Sequence, residues 1–141
     1  MKFESQEWLD AVKEKSSKDE KYIKKTKDLS LVLQNLVLDA PGGVDRLLTY
    51  TFERGKIVSA VLEEKPAPSD LRKIPFDGTK VFMRTTGSYE AYVKLNKGEI
   101  TPLQALAQGV YKFEGDFMKI QAKTPGLTYF TDICASIPCE Y

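Results

Sequence analysis

The chain has 141 residues, a net charge of +1 and ordinary shares of apolar and charged side chains. A chain of this length is typical of one domain whose core is large enough to fold without disulfide bonds or a metal. The balanced charge gives no sign of a nucleic-acid partner. The sequence has no histidine, which removes the commonest general base and the commonest metal ligand.

Cys134 and Cys139 are the two cysteines of the chain. They are too few for a zinc site, which normally needs four protein ligands. We expect buried or free thiols, and the alternative is a disulfide bond, which would be unusual in the cytosol. The N-terminus lacks the apolar core of a signal peptide, and no stretch is apolar enough to cross a bilayer. We therefore expect a cytoplasmic protein with no metal and no cofactor.

The N-terminal region has the pattern of an amphipathic helix. Ser5 is a good N-cap, and Trp8, Leu9 and Val12 fall on one face at helical spacing. The lysines that follow are interleaved with acidic residues. A solvated helical surface is the simpler interpretation of this pattern. The alternative is a weak, transient contact with an anionic membrane surface.

The middle of the chain alternates apolar and polar residues, as half-buried strands do. A first strand is predicted over residues 29–38, followed by a turn at Pro41-Gly42-Gly43. The next two strands form a hairpin around Gly55, and a fourth strand is predicted over residues 80–86. One face of these strands is predicted to be buried. Its side chains are Leu48, Tyr50, Phe52, Val58, Ala60, Leu62, Val81 and Met83.

The stretch from Gly98 to Asp116 is the most informative part of the sequence. Thr101 is a good N-cap, Pro102 stands at the first helical position, and Gly109 ends the short helix. A strand over residues 110–114 follows, and Asp116 caps the next helix. No residue of this stretch has an obvious catalytic role. The inward-facing side chains predicted for the helices are Tyr92, Leu106, Phe117 and Ile120.

These elements predict one α+β domain over residues 1–141. It has one mostly antiparallel sheet of about five strands, with helices packed on one face. Residues 124–141 are interpreted as a C-terminal extension. Their apolar side chains have roughly helical spacing, so the extension either enlarges the core or covers an opening.

In order and spacing, several of these motifs are similar to the sterol carrier protein 2 family. The similarity rests on Gly98-Glu-Ile-Thr-Pro102 with Ala105 and Gly109, on Gly115-Asp116, and on the helix Phe117-Met-Lys-Ile-Gln121. Upstream it rests on the turn at residues 41–43 and the hairpin at residues 52–56. The resemblance implies an apolar tunnel between sheet and helices. It also implies a protein that binds or transfers a long-chain lipid, namely a fatty acid, a fatty acyl-CoA, a phospholipid or a sterol. Since no Ser/His/Asp set can exist without histidine, the residues themselves lead us to expect no enzymatic activity.

The resemblance makes the inward-facing side chains of the strands and helices the candidate lipid-binding residues. The simpler interpretation of each is an ordinary core residue, because apolar stripes usually form solid cores. The alternative function is therefore an interaction or dimerisation module that keeps the fold with its tunnel filled. We expect no catalytic residue, and both a monomer and a homodimer are compatible with the sequence.

Overall fold

The computed structural model describes residues 1–141, which form five strands and five α-helices. The strands are β1 (Leu31–Ala40), β2 (Val44–Glu53), β3 (Lys56–Pro66), β4 (Met83–Ser88) and β5 (Tyr111–Gly115). The helices are α1 (Gln6–Lys18), α2 (Glu20–Lys25), α3 (Tyr89–Asn96), α4 (Pro102–Ala107) and α5 (Phe117–Ser136). A short 3-10 helix at Asp70–Lys73 lies between β3 and β4.

The five strands form one sheet in the order β3-β2-β1-β4-β5. β1 and β4 are parallel, and the other three neighbouring pairs are antiparallel. Parallel pairing needs a long connection, and here β2, β3 and the segment that follows them connect β1 to β4. The predicted fold class, a mostly antiparallel sheet with helices packed on it, is confirmed.

The helices cover one face of the sheet, which we call the inner face. Strand pairing aligns the inward side chains in rows that cross all five strands. The first row consists of Ala60, Tyr50, Leu33, Met83 and Gly115. The second row consists of Leu62, Leu48, Asn35, Thr85 and Phe113.

A β-bulge in β3 changes which of its side chains face inward. Thr51 pairs with Ser59 whereas Phe52 pairs with Ile57, so Val58 is the extra residue. Ile57 is buried beside Phe52 in the core, and Val58 is only half-buried. The predicted alternation, with Val58 inward and Ile57 outward, is wrong at this end of the strand because it assumed an unbroken period of two.

The helix boundaries in the second half follow the predicted signals. Thr101 and Gln104 form a capping box, with Pro102 in the first turn of α4. Gly109 has a φ of +68° just beyond α4, in the left-handed region where glycine is favoured. The Asp116 carboxylate accepts hydrogen bonds from two backbone amides in the first turn of α5. These caps fix where the chain turns around β5.

The apolar residues of the predicted extension belong to α5, which continues through Pro125. At Gly126 the helix lies so close to Leu29 that a β-carbon would stand 3.0 Å from the Leu29 Cγ. Phe130 and Cys134 are buried beyond this point, so the C-terminal half of α5 enlarges the core. No helix of the protein combines the length and the apolar character that a membrane span requires.

On the outer face, a buried carboxylate fixes the segment that connects β3 to β4. Asp45 is fully buried and accepts hydrogen bonds from the Ser69 amide and hydroxyl at 2.9 and 2.7 Å. It also accepts from the Arg72 Nε at 2.8 Å and from the Asp39 amide at 3.1 Å. The hydrogen bond from the Arg72 guanidinium is the main reason that the pKa of Asp45 lies well below its usual range.

Candidate functional site

The inner layer of the protein has two halves, and the first of them is filled with side chains. This packed half lies over β1, β2 and β3, beneath α1 and the C-terminal half of α5. Tyr50 and Phe52 are each 2% exposed. Both rings meet Phe130 edge-on, with centroid separations of 4.9 and 5.1 Å. Leu9 and Val12 of α1 are fully buried in the same cluster.

The second half, which we call the open half, lies over β4 and β5. It is bounded by α3, α4 and the first half of α5. Ala105 of α4 is fully buried, but four larger apolar side chains of this half that sequence analysis or strand register places inward are only half-buried. They are Met83, Leu106, Phe113 and Ile120.

Larger exposures occur at the edge of the open half. Phe117 is stacked on Phe113, with ring centroids 6.1 Å apart, and is 53% exposed. Leu103 on α4 and Met118 on α5 are 77% and 75% exposed. These large apolar side chains lie on the two helices that precede and follow β5 in the chain.

The predicted lipid-binding residues divide between these two halves. In the packed half or at its margin lie Leu48, Tyr50, Phe52, Ala60 and Leu62. In the open half lie Met83, Leu106, Phe117 and Ile120. Tyr92 projects from α3 at the boundary, and its hydroxyl hydrogen-bonds to Thr85.

Val58 and Val81 are the two candidates that the structure does not bring to this layer. Val58 is the bulge residue of β3. Val81 precedes β4, and its amide donates to the Asp77 carbonyl in a turn. Phe82, rather than Val81, packs against the core. The predicted start of the fourth strand at residue 80 is therefore three residues too early.

A polar group lies between the two halves, and sequence analysis predicted none of its polar contacts. The Thr85 hydroxyl donates to the Asn35 Oδ1 at 2.7 Å and lies 2.8 Å from the Tyr92 hydroxyl. Thr85 and Tyr92 are each 6% exposed, and Asn35 is half-buried. Asn35 interrupts the inward-facing apolar series of β1, which consists of Leu31, Leu33 and Val37. A polar residue in this series indicates a buried polar contact once the strand register is known.

A second buried polar group closes the end of the packed half. Glu4 is 2% exposed, its Oε1 has no hydrogen-bond partner, and this atom lies 4.0 Å from the Arg46 Nη1. Burial raises the pKa of Glu4 to about 8, and the charge of Arg46 opposes that rise. Arg46 itself donates to the Phe3 carbonyl at 3.2 Å. Glu4 is therefore mainly a neutral carboxylic acid at pH 7.

The cysteine and tyrosine groups of the inner layer are also held in their neutral forms. Burial is the largest cause that raises the pKa of the Cys134 thiol and of the Tyr50 and Tyr92 hydroxyls. Cys134 and Cys139 are both free thiols. The interior consequently offers neutral hydrogen-bonding groups, not an activated nucleophile.

Two surface clefts lie away from the open half. The first, of about 480 Å³, is lined by Asp10, Lys13, Glu14, Ser17, Lys56 and Ile57. The second, of about 260 Å³, lies on the outer face and is lined by Leu36, Leu38, Arg72, Arg84, Thr86, Lys112 and Glu114. Both are mainly polar in their side chains. The apolar tunnel implied by the family resemblance is neither of these clefts, and it stays a prediction.

Comparisons with known proteins identify the fold. No protein-family model matches the chain, and no curated protein matches it. Among solved structures, the chain is similar to a crystal structure of sterol carrier protein 2, with a TM-score of 0.74 and 15% identity over 95% of this chain and 98% of that one.

Two further structures agree with this match. A conserved hypothetical protein from Thermus thermophilus gives a TM-score of 0.73 at 17% identity, over 99% of this chain and 92% of that one. The sterol carrier protein domain 2 of Helicoverpa armigera gives 0.57 at 19% identity, over 96% and 91%. The protein therefore has the sterol carrier protein 2 fold.

Proposed function

We propose that the protein binds the hydrocarbon chain of a long-chain lipid in the open half and carries it through water. The observation that carries this proposal is the contrast in exposure across a single inner layer. Phe130 of the packed half is 3% exposed, whereas Phe117 at the other end of the same helix is 53% exposed. A hydrocarbon chain laid against Met83, Phe113 and Phe117 would bury surface that is now in contact with water.

The energy available from such burial is large enough. Removing a hydrocarbon chain from water yields about 0.8 kcal/mol per CH₂, so a sixteen-carbon chain supplies on the order of 12 kcal/mol before costs. Lost translational and conformational freedom offsets about 4–15 kcal/mol of this gain. Micromolar affinity is therefore reachable through the apolar chain alone. Fatty acids, fatty acyl-CoA, phospholipids and sterols all present such apolar surface.

The proposed activity involves no chemical step. A carrier needs apolar surface that accepts a ligand and releases it unchanged, whereas catalysis needs groups that transfer protons or attack the substrate. Burial holds the Tyr50 and Tyr92 hydroxyls and the Cys134 thiol of the inner layer in their neutral forms. We therefore place the protein among lipid carriers and not among enzymes.

We extend the proposal to where the carrier works. Ile23 of α2 is 44% exposed between Lys21 and Lys24, and an apolar side chain among lysines suits transient contact with an anionic membrane. The free thiols of Cys134 and Cys139 are typical of a reducing compartment. Both observations support a cytoplasmic carrier that visits membranes.

The alternative, a module with a filled interior, is not favoured. It requires the inner layer to be filled by side chains throughout. The packed half meets this requirement, because Tyr50, Phe52 and Phe130 interlock there. The open half does not, because Leu106 and Ile120 remain half-buried and Phe117 is exposed.

Lipid capture by purified protein tests the proposal. Native mass spectrometry followed by organic extraction should detect a bound long-chain lipid, and the protein should bind a fluorescent fatty acid that palmitate displaces. Phe117→Asp should weaken this binding at least about tenfold, because a charge would lie against the hydrocarbon chain. Ile74→Asp is the matched control. Ile74 is 42% exposed and lies outside the open half, so this substitution should leave binding unchanged.

Two results would contradict the proposal. The first is a protein that carries no lipid and also fails to bind the fluorescent fatty acid. The second is an equal loss of binding in the Phe117 and Ile74 variants.

A further inference from the structure

We propose that Asn35, held by Thr85 and Tyr92, is a subsite for a neutral hydrogen-bond acceptor on the ligand, of the kind offered by an ester or ketone carbonyl. This inference rests on the proposed function, because it assigns a polar contact to a lipid whose chain lies in the open half. It adds selectivity for a functional group that the apolar surface alone does not provide.

The position of Asn35 in the sheet supports this assignment. In the second row it lies between Leu48 of β2 and Thr85 of β4, and Phe113 of β5 follows Thr85. Leu48 is fully buried, whereas Phe113 is half-buried. Asn35 therefore stands where the packed half gives way to the open half. In the proposed arrangement the ligand chain contacts Phe113 and its polar end lies at this boundary.

The hydrogen bonds around Thr85 determine which atoms of Asn35 stay free. The separation of 2.7 Å between the Thr85 Oγ1 and the Asn35 Oδ1 is typical of an O–H···O hydrogen bond. Once the Thr85 hydroxyl has donated its single proton, its oxygen accepts from the Tyr92 hydroxyl at 2.8 Å. The alternative acceptor for Tyr92, the Leu36 carbonyl, is farther away at 3.4 Å.

This direction of donation leaves the amide nitrogen of Asn35 available. Its two N–H groups make no hydrogen bond within the protein, while the side chain is only half-buried. A neighbouring inward residue of β1, Leu33, is 5% exposed. Two oriented donors in a largely apolar layer favour a ligand with an acceptor oxygen, because water competes poorly for them once a hydrocarbon chain covers the site.

The charges near this layer favour a neutral acceptor over a carboxylate. Arg46 faces the same layer, but it lies 3.2 Å from the Glu64 carboxylate and donates to the Phe3 carbonyl. Moving an unpaired carboxylate into such surroundings is far more costly than moving a carbonyl. An ester or ketone oxygen satisfies the Asn35 donors without that cost.

Matched ligands and matched variants separate this subsite from simple apolar binding. Methyl palmitate and octadecane, each delivered from cyclodextrin, would displace the neutral fluorescent probe N-phenyl-1-naphthylamine. Asn35→Leu should lower the preference for the ester over the alkane about five- to tenfold, the effect of one lost hydrogen bond. Gln34→Leu is the control, because the Gln34 amide contacts Thr49 on the outer face and the preference should not change.

A second measurement uses the unmodified protein. In ¹H–¹⁵N spectra, the side-chain amide signal of Asn35 should move when methyl palmitate is added and stay in place with octadecane. The subsite is contradicted if the protein binds both ligands but Asn35→Leu changes their affinities equally, or if both ligands move the signal alike. If the unmodified protein binds neither ligand, lipid binding itself is contradicted. Failure of the subsite alone is therefore distinguishable from failure of the proposed function.

Discussion

The packed and open halves share one sheet and one long helix, yet they bury their side chains to different extents. β1, β2 and β3 have 10, 10 and 11 residues, whereas β4 and β5 have 6 and 5. β2 carries the aromatic rings of Tyr50 and Phe52 that interlock with Phe130 of α5, whereas Met83 of β4 and Phe113 of β5 are only half-buried. This contrast underlies the proposal that the packed half supplies most of the stability while the open half accommodates a ligand.

α5 joins the two halves, and its sequence changes at their junction. Pro125 has no amide proton to donate to the preceding turn, and Gly126 allows the helix to approach Leu29 closely. Before this point the Lys123 Nζ donates to the Asp28 carbonyl at 2.7 Å. Beyond it, Phe130 is inserted between strand side chains. The first half of α5 is therefore held by fewer buried contacts than the second.

The largest expected effect is the loss of Phe130 from the packed half. Phe130→Ala removes a ring that meets both Tyr50 and Phe52 edge-on, and a cavity of this kind lowers the free energy of unfolding by about 3–5 kcal/mol. Urea denaturation followed by circular dichroism measures the change. A loss below about 1 kcal/mol would show that this half is not the stabilising one.

The next largest effect concerns Glu4, which lies buried at the end of the packed half. Its pKa is about 8 in the folded protein against an ordinary 4.5, so the folded state holds a proton that the unfolded state releases. The free energy of unfolding should therefore fall as the pH rises from about 4.5 to about 8. Glu4→Gln should remove this fall and be more stable than the parent at pH 8.5 by roughly 2–4 kcal/mol.

Denaturation curves between pH 5 and pH 8.5 measure this effect. Glu7→Gln is the control, because Glu7 is exposed in the first turn of α1 and should leave the pH dependence unchanged. If the free energy of unfolding of Glu4→Gln falls equally steeply with rising pH, other groups cause the pH dependence.

The smallest effect on stability is expected at Phe117 of the open half. Because its ring is 53% exposed, Phe117→Ala should change the free energy of unfolding by less than about 1 kcal/mol. The same change should weaken palmitate binding several-fold, since part of the surface that covers the chain is lost. Fluorescence displacement measures the affinity for palmitate, and urea denaturation of the same sample measures the free energy of unfolding. A large loss of stability with unchanged binding would show that Phe117 stabilises the fold and does not contact the ligand.

Local sequence signals predicted the parts of the fold that depend on neighbouring residues. The Thr101 capping position, the Gly109 helix end and the Asp116 cap are each decided within a few residues, and the structure contains all three. The bulge at Val58 was not predictable from alternation, because it depends on how β3 pairs with β2. The continuity of α5 through Pro125 likewise depends on packing against Leu29.

The division of the candidate site into two halves was also beyond the sequence. Tyr50 and Phe117 are both large aromatic residues at predicted inward positions, yet their exposures are 2% and 53%. Apolar periodicity reports which face of an element is turned inward, but it does not report whether another element covers that face. The contact between Asn35 and Thr85 joins residues far apart in the chain, and it becomes visible only once β1 and β4 are paired in parallel.

Hydrogen exchange with and without bound palmitate tests whether the ligand binds in the open half. We expect the ligand to slow amide exchange in α4, β5 and the first half of α5, roughly residues 102–124, because these segments border the open half. Exchange in β2, β3 and the second half of α5 should change little. Protection confined to the packed half, or no protection in any segment at saturating palmitate, would contradict ligand binding in the open half.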